Sequence, residues 1–389
     1  MEPALPRFVM PATCRLGWGA AEGVGKDVRR VGASRALVVT THGLEGSWIV
    51  KDALAALGGA GVETELSARA HGPPDDARAR DVAEAFRSMG ADALVSIGGG
   101  SAHDLAKAAG VLATHGGALS DHEGVDRLRV DTPVHVALNT TAGSGSELSR
   151  LLFVVDREKG RPAMIRDERI TPRVAINDPG THVTSPPEVT AAAGMNLLTH
   201  AIEAYFSRNA APLTDALALD AVALVAEHLP RAVADGNDPK ARGALAMAEQ
   251  LAGIAYNSAG LGVADAIALS LTAQYDLPHG AINGALLPHV VALDVAERRS
   301  KARRLAETLG GSEPGRIPEA LAEVARRAGA PLSLSALGLE EDVVYTSIGA
   351  ILESPLLDLH PTVMTEERLV DIVVAAVSGA PPEVRASAR

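Results

Sequence analysis

The stretch ALVSIGGGSAHDLAKAAGVLA, Ala93 to Ala113, decides the class of the fold. Its first residues are a short apolar run of the kind a strand covered on both faces needs, and they lead straight into Gly98, Gly99 and Gly100 and then into a helical pattern. Strand, glycine turn and helix make one βα unit. The glycines let the backbone come close to a ligand, while the N–H groups and dipole of the following helix favour a phosphate. The plain alternative is a turn that uses glycine for its geometry alone.

Working outward, RALVVTTHGL (Arg35 to Leu44) is another buried-strand run ending in turn residues, and VETELS (Val62 to Ser67) a third. Helical patterns cover Trp48 to Leu57 and Asp75 to Met89. The strand VHVALN (Val134 to Asn139) opens into TTAGSGSELS, a second loop of small residues that ends in hydroxyls and a carboxylate. Two such loops after strands of one sheet suit an open α/β sheet, whose ligands sit at the carboxyl ends of the strands.

The character of the chain changes over DPGTHVTSPPEVTAAAGMNLLTHAIEAYFS, Asp178 to Ser207. A helix is expected from about Pro186, with Ser185 as N-cap and Glu188 closing a capping box. On it Asn196 and His200 are i and i+4 and share a face. Such a pair can grip a metal ion or can be two satisfied polar groups in a core. Helical patterns follow over Thr214 to Leu229, Gly243 to Tyr256, Gly262 to Ala273, Ile282 to Glu297, Ser300 to Leu309, Ile317 to Arg327, Leu339 to Leu352 and Glu366 to Val377. Two domains are expected: residues 1–180, α/β and nucleotide-binding, and residues 181–389, all-helical and carrying the metal and substrate.

Composition narrows the partners. The 389 residues carry a formal net charge of -12, which argues against nucleic acid or an anionic membrane. A hydrophobic share of 47% with 22% charged residues is that of an ordinary globular protein. One cysteine, Cys14, excludes an internal disulfide and a thiolate-rich metal site. No run of about 18 apolar residues occurs, and the N-terminal residues lack the apolar core of a secretion signal, so a cytoplasmic protein is expected.

Seven blocks in order resemble the iron-dependent (group III) alcohol dehydrogenases, a family that includes maleylacetate reductases and is related to glycerol dehydrogenase. They are GWGA at Gly17, GGGSAHDLAK at Gly98, TTAGSGSE at Thr140, NDP at Asn177, GMNLLTHAIEAY at Gly194, NSAGLG at Asn257 and YDLPHG at Tyr275. The resemblance implies an N-terminal dinucleotide-binding α/β domain, Rossmann-like, and an all-α C-terminal domain, as in dehydroquinate synthase. It implies a divalent metal in a cleft between the two. By position, Gly98, Gly99, Gly100 and Ser101 would hold the pyrophosphate of NAD or NADP, with Asp104 capping or orienting the helix. Thr140, Thr141 and Ser144 would line the nicotinamide ribose and phosphate. Family members are commonly homo-oligomers.

The chain departs from the family at several of these positions. Thr41 stands where the family often has an aspartate that would repel a 2'-phosphate, so NADPH is expected to be used at least as well as NADH. The family's metal set of one aspartate and three histidines becomes Asn196, His200, Asp265 and His279, and a further family histidine is Leu269. One negative charge is kept at a new place, so the set could hold Fe²⁺, Zn²⁺ or Mn²⁺; alternatively Asp265 is an ordinary helix carboxylate in a metal-free site. Asn in the GMN block is shared with maleylacetate reductases. Glu147 and Glu203 match family positions but read as structural, and Arg150 and Arg166 as surface groups or as partners of an anionic substrate.

The expected activity is an NAD(P)-dependent oxidoreductase that interconverts a small alcohol and its aldehyde or ketone, an aldehyde reductase in particular. His279 or His200 would donate the proton where no metal acts. A maleylacetate reductase-like enzyme, a dehydroquinate synthase-like lyase or cyclase, and a nucleotide-binding member without catalysis are the alternatives. The lyase would need a lysine- and arginine-rich phosphate site that the blocks lack.

Overall fold

The computed structural model describes residues 7–156 and 161–380. The chain forms two compact units, Val9–Thr184 and a second that begins at Ser185 and also takes in Arg7 and Phe8.

The first unit holds the strands β1 (Thr13–Leu16), β2 (Arg35–Thr41), β3 (Glu63–Ala70), β4 (Ala93–Gly98), β5 (Gly124–Val125), β6 (Val134–Asn139), β7 (Leu151–Asp156), β8 (Arg161–Arg166) and β9 (Val174–Asn177). Six of them make a parallel sheet in the order β1-β9-β6-β4-β2-β3. Its helices are α1 (Val24–Arg30), α2 (Trp48–Gly59), α3 (Asp76–Met89), α4 (Gly100–His115) and α5 (Pro179–His182). The strand runs are apolar throughout because both faces are covered. Ala36 and Val38 of β2, with Val95 and Ile97 of β4, pack with α1 and α2, while Leu37, Val39 and Leu94 face the layer of α3 and α4. That alternation is the period of two of a strand written into two separate cores.

The sequence reading placed no strand at β1, at β9 or in the small sheet β5-β8-β7, whose β7 and β8 pair antiparallel. β1 and β9 are only four residues each, and β8 opens on Arg161 and Pro162, so local pattern carries little strand signal there.

The second unit is helical: α6 (Pro187–Phe206), α7 (Pro212–Ala234), α8 (Pro239–Ala259), α9 (Val263–Tyr275), α10 (His279–Glu297), α11 (Arg299–Thr308), α12 (Ile317–Arg327), α13 (Asp342–Leu352) and α14 (Glu366–Ser378). Glycines bring three of these helices unusually close. A Cβ on Gly280 would lie 2.2 Å from the Ala192 carbonyl oxygen, one on Gly284 would lie 3.0 Å from Met195 Cβ, and one on Gly194 would lie 2.2 Å from Leu229 Cδ1. Helix α6 is therefore pressed against α10 on one side and α7 on another. No single helix among the described residues is long and apolar enough to cross a membrane.

The start of α6 departs from expectation. Its N-cap is Pro186, which makes no side-chain cap bond, and Ser185 stands one residue earlier. The Ser185 carbonyl accepts from Thr190 Oγ1 at 3.3 Å and from Arg242 Nη2 at 3.3 Å. Arg242 is buried on α8 and also donates to Thr190 Oγ1 at 3.1 Å, so a side chain from another helix secures an end whose prolines have no N–H to offer.

Candidate active site

In the α/β unit, β4 delivers Gly98 with φ +155° and Gly99 caps α4 without any side-chain cap bond. The first N–H groups of a sixteen-residue helix are thereby left for a ligand. The two small-residue loops lie against each other. A Cβ on Gly99 would stand 2.5 Å from Thr141 Oγ1, and one on Gly100 would stand 3.0 Å from Ser144 Oγ. Thr140 N donates to the Gly98 carbonyl at 2.9 Å, Ser101 is half-buried in the first turn of α4, and Thr41 ends β2 close beside Gly98. Only glycine leaves a cradle there with room for a phosphate.

Asp104 does not cap α4. It accepts from Ser146 Oγ and lies 3.5 Å from the buried Lys107 Nζ, which donates to Ser146 Oγ at 2.8 Å and to the Leu151 carbonyl at 2.9 Å. These bonds brace α4 against the second loop. Beneath the glycines lies a buried group that the sequence reading missed: Ser96 Oγ is 2.7 Å from both His103 Nδ1 and His135 Nε2. Burial and the charge of Lys107 push His103 down to about 3, so its ring is neutral. His103 stands inside the GGGSAHDLAK block and could have been noticed there. Glu147, pushed up to about 7 by burial against the hydrogen bond from Asn177, is structural as expected. Arg150 is not on the surface: it is buried, 3.8 Å from Glu168, and Arg166 is half-buried at the end of β8.

In the helical unit, three helices supply the second set. His200 comes from the buried face of α6, Asp265 from the first turn of α9 and His279 from the first residue of α10. Asp276, with φ +52°, closes α9 and lets the Leu277–Pro278 turn start α10 at His279. Asp265 Oδ1 lies 2.8 Å from His279 Nε2 and 3.3 Å from His200 Nε2. One donor atom from each of the three falls within 4.8 Å of the others. Burial alone would raise the Asp265 carboxyl, but the charge and hydrogen bonds of His279 and His200 outweigh it and hold the group well below its usual range. Asp265 is thus an ionised carboxylate beside two imidazoles, a donor set that fits a divalent transition-metal ion.

Asn196 is buried beside this set, and its Oδ1 accepts from Asn283 Nδ2 at 2.7 Å. Asn283 went unnoticed in the sequence, although its place four residues after His279 on one helix was a signal. Glu203 is structural: its carboxylate accepts from Gly262 N at 2.8 Å and Ala264 N at 2.7 Å, capping the helix that presents Asp265. Burial and the neighbouring Asp265 charge push it up to about 8. Two buried carboxyl groups at one helix start are therefore driven in opposite directions.

Residues 11–179 match the family described as iron-containing alcohol dehydrogenase, and residues 190–377 match the C-terminal domain of the Fe-containing alcohol dehydrogenase family. The chain is 35% identical over 381 residues to an NAD-dependent methanol dehydrogenase of Bacillus methanolicus, covering 96% of this chain and 100% of that one. It is 38% identical over 344 residues to a 1,3-propanediol dehydrogenase of Citrobacter freundii, covering 86% and 89% respectively. A crystal structure of 1,3-propanediol oxidoreductase superimposes with a TM-score of 0.92 at 35% identity, over 96% of this chain and 100% of that one. Both halves of the sequence and the fold agree, and the chain belongs to the iron-containing alcohol dehydrogenase family.

Proposed function

We propose that the protein is an NAD(P)-dependent aldehyde reductase, interconverting a small alcohol and its aldehyde or ketone. Asn196, His200, Asp265 and His279 hold a divalent ion, Fe²⁺, Zn²⁺ or Mn²⁺. The observation that carries this reading is the meeting of two imidazoles and an ionised carboxylate within 4.8 Å, in a chain whose other unit ends two strands in facing small-residue loops. NAD dependence is supported by the methanol dehydrogenase relative. A cytoplasmic homo-oligomer is part of the same reading, which rests on the single cysteine and on family habit.

Reduction needs a hydride on the carbonyl carbon and a proton on its oxygen; the nicotinamide supplies the first, and a bound divalent ion polarises the carbonyl as a Lewis acid. Gly98, Gly99 and Gly100 bind the pyrophosphate through backbone N–H groups, with Ser101 at the first turn, and Thr140, Thr141 and Ser144 orient the nicotinamide end. Where no ion acts, His279 is the member of the second set placed to pass a proton to the substrate oxygen, because its side chain is 25% exposed against 7% for His200 and 2% for Asp265. Asp265 Oδ1, 2.8 Å from its Nε2, orients that ring.

Incubating the purified protein with NADH or NADPH and a panel of short aldehydes, with nicotinamide absorbance followed, tests this directly. Oxidation of the cofactor that depends on aldehyde is expected. A protein that binds the cofactor yet oxidises it with no aldehyde, ketone or maleylacetate would sink the reading.

A further inference from the structure

Asn283 is fully buried one turn after His279 on α10, where the close α6–α10 contact at Gly280 and Gly284 brings it against Asn196. Its Nδ2 lies 2.7 Å from Asn196 Oδ1, 3.1 Å from Asp265 Oδ1 and 3.2 Å from His279 Nε2, all atoms of the expected ligand set. The amide N–H group therefore sits where those donor atoms converge. Its own Oδ1 is buried and meets no hydrogen-bond donor. A buried amide oxygen without a partner is costly. Yet turning the amide over would set that oxygen against Asn196 Oδ1 and Asp265 Oδ1, acceptor facing acceptor. A cation among these atoms reverses the preference, since it attracts oxygens and repels an N–H donor.

We propose that Asn283 is a two-state member of the metal site: its NH2 group donates to Asn196 and Asp265 when the ion is away, and its side-chain amide turns over to present Oδ1 to the ion. The proposal rests on the reading of His200, Asp265 and His279 as ligands. It makes Asn283 a determinant of ion affinity and gives the site a further oxygen beside those of Asn196 and Asp265. An amide with hard oxygen character, beside a carboxylate and two imidazoles, favours Mn²⁺ or Fe²⁺ over ions that prefer sulfur.

Mn²⁺ is the probe. Its affinity is measured by calorimetry, and the number of exchangeable waters on bound Mn²⁺ by water-proton relaxation, for the wild type and for Asn283→Ala and Asn283→Asp. Asn283→Ala is expected to bind Mn²⁺ about 10- to 100-fold more weakly and to carry one more exchangeable water. Asn283→Asp, nearly isosteric, is expected to bind at least about tenfold more tightly because it adds an anionic oxygen, while its metal-free form melts at a lower temperature with Asp265 beside it and recovers when Mn²⁺ is added. Wild-type affinity and hydration in both variants, with uptake abolished by His279→Ala, would overturn the role of Asn283 alone. A wild type that takes up none of Mn²⁺, Fe²⁺ or Zn²⁺ would overturn the ligand reading beneath it. Should Asn283→Ala fail to fold, Asn283→Asp still decides: an affinity no greater than that of the wild type refutes the proposal.

Discussion

The two candidate sites are built in opposite ways. In the α/β unit the site is an absence of side chains: Gly99 and Gly100 keep Thr141 and Ser144 close and leave helix N–H groups free to bind. In the helical unit it is an accumulation of side chains, with Asn196, His200, Asp265, His279 and Asn283 drawn from three helices into hydrogen-bond contact. A backbone site depends on shape and is broken by adding atoms. A side-chain site depends on charge and is broken by changing one atom's electrostatics while leaving its volume alone.

The largest expected effect follows from that difference. Asp265→Asn keeps the volume but removes the only formal negative charge among Asn196, His200, Asp265 and His279, and leaves two imidazoles facing an amide. Divalent-ion affinity should fall by at least about 100-fold, roughly 2.7 kcal/mol, and reductase activity should fall with it. Asn196→Ala should cost less than about tenfold. Elemental analysis after dialysis against Zn²⁺ or Mn²⁺ reads both, and equal losses would mean the charge is not what holds the ion.

Gly99→Val tests the other half. Its Cβ would enter within 2.5 Å of Thr141 Oγ1, so the cradle closes and cofactor affinity should fall by about two orders of magnitude, while the ion uptake of the helical unit stays as it was. Calorimetric titration with NADH is the measurement. Retained binding would put the phosphate elsewhere.

A smaller effect is expected at Thr41. Placing Asp there should shift preference from NADPH towards NADH by about 1 to 3 kcal/mol, the scale of a fixed charge near a 2'-phosphate. His42 follows, exposed and 3.3 Å from Glu45, so part of any positive charge at this end of β2 is already countered. Steady-state kinetics with both cofactors decides it; an unchanged ratio would remove Thr41 from the ribose site.

The smallest is a pH effect confined to the α/β unit. Burial raises Glu147 to about 7, while an unfolded chain releases that proton near the ordinary carboxyl value. Between those two values the folded form holds a proton that the unfolded form has lost, so stability falls as pH rises through this window and levels off above about 7. Glu147→Gln should flatten that slope in thermal melts from pH 4.5 to 7.5. A slope identical to that of the wild type would mean that Glu147 ionises normally in the fold.

Much of this molecule was legible without coordinates because its signals are local. The βα unit from Ala93 declared itself through an apolar run, three glycines and a helical period, and β4 and α4 follow it closely. The helices of the second unit were equally clear, because period 3.6 survives whatever a helix packs against. The short strands β1 and β9 and the strand β8 were not clear, since four residues or a run opening on an arginine and a proline carry no readable period. Ser185 was a sound cap by chemistry, and Arg242 from another helix secured that end instead.

The sequence by itself determined which residues could act: glycines after a strand, a histidine and an asparagine one turn apart, an aspartate at a helix start, a histidine behind a proline. Each is a statement about neighbours in the chain. Only the tertiary structure decided what those residues became. Asp265 is held ionised by imidazoles 65 and 14 positions away, Glu203 is pushed the other way by burial and by the charge of Asp265, and Asn283 is drawn in among the ligand atoms. Charge acts through space with the inverse of distance and burial follows packing, and the close approach of α6 to α10 is set by glycine contacts that no local pattern records.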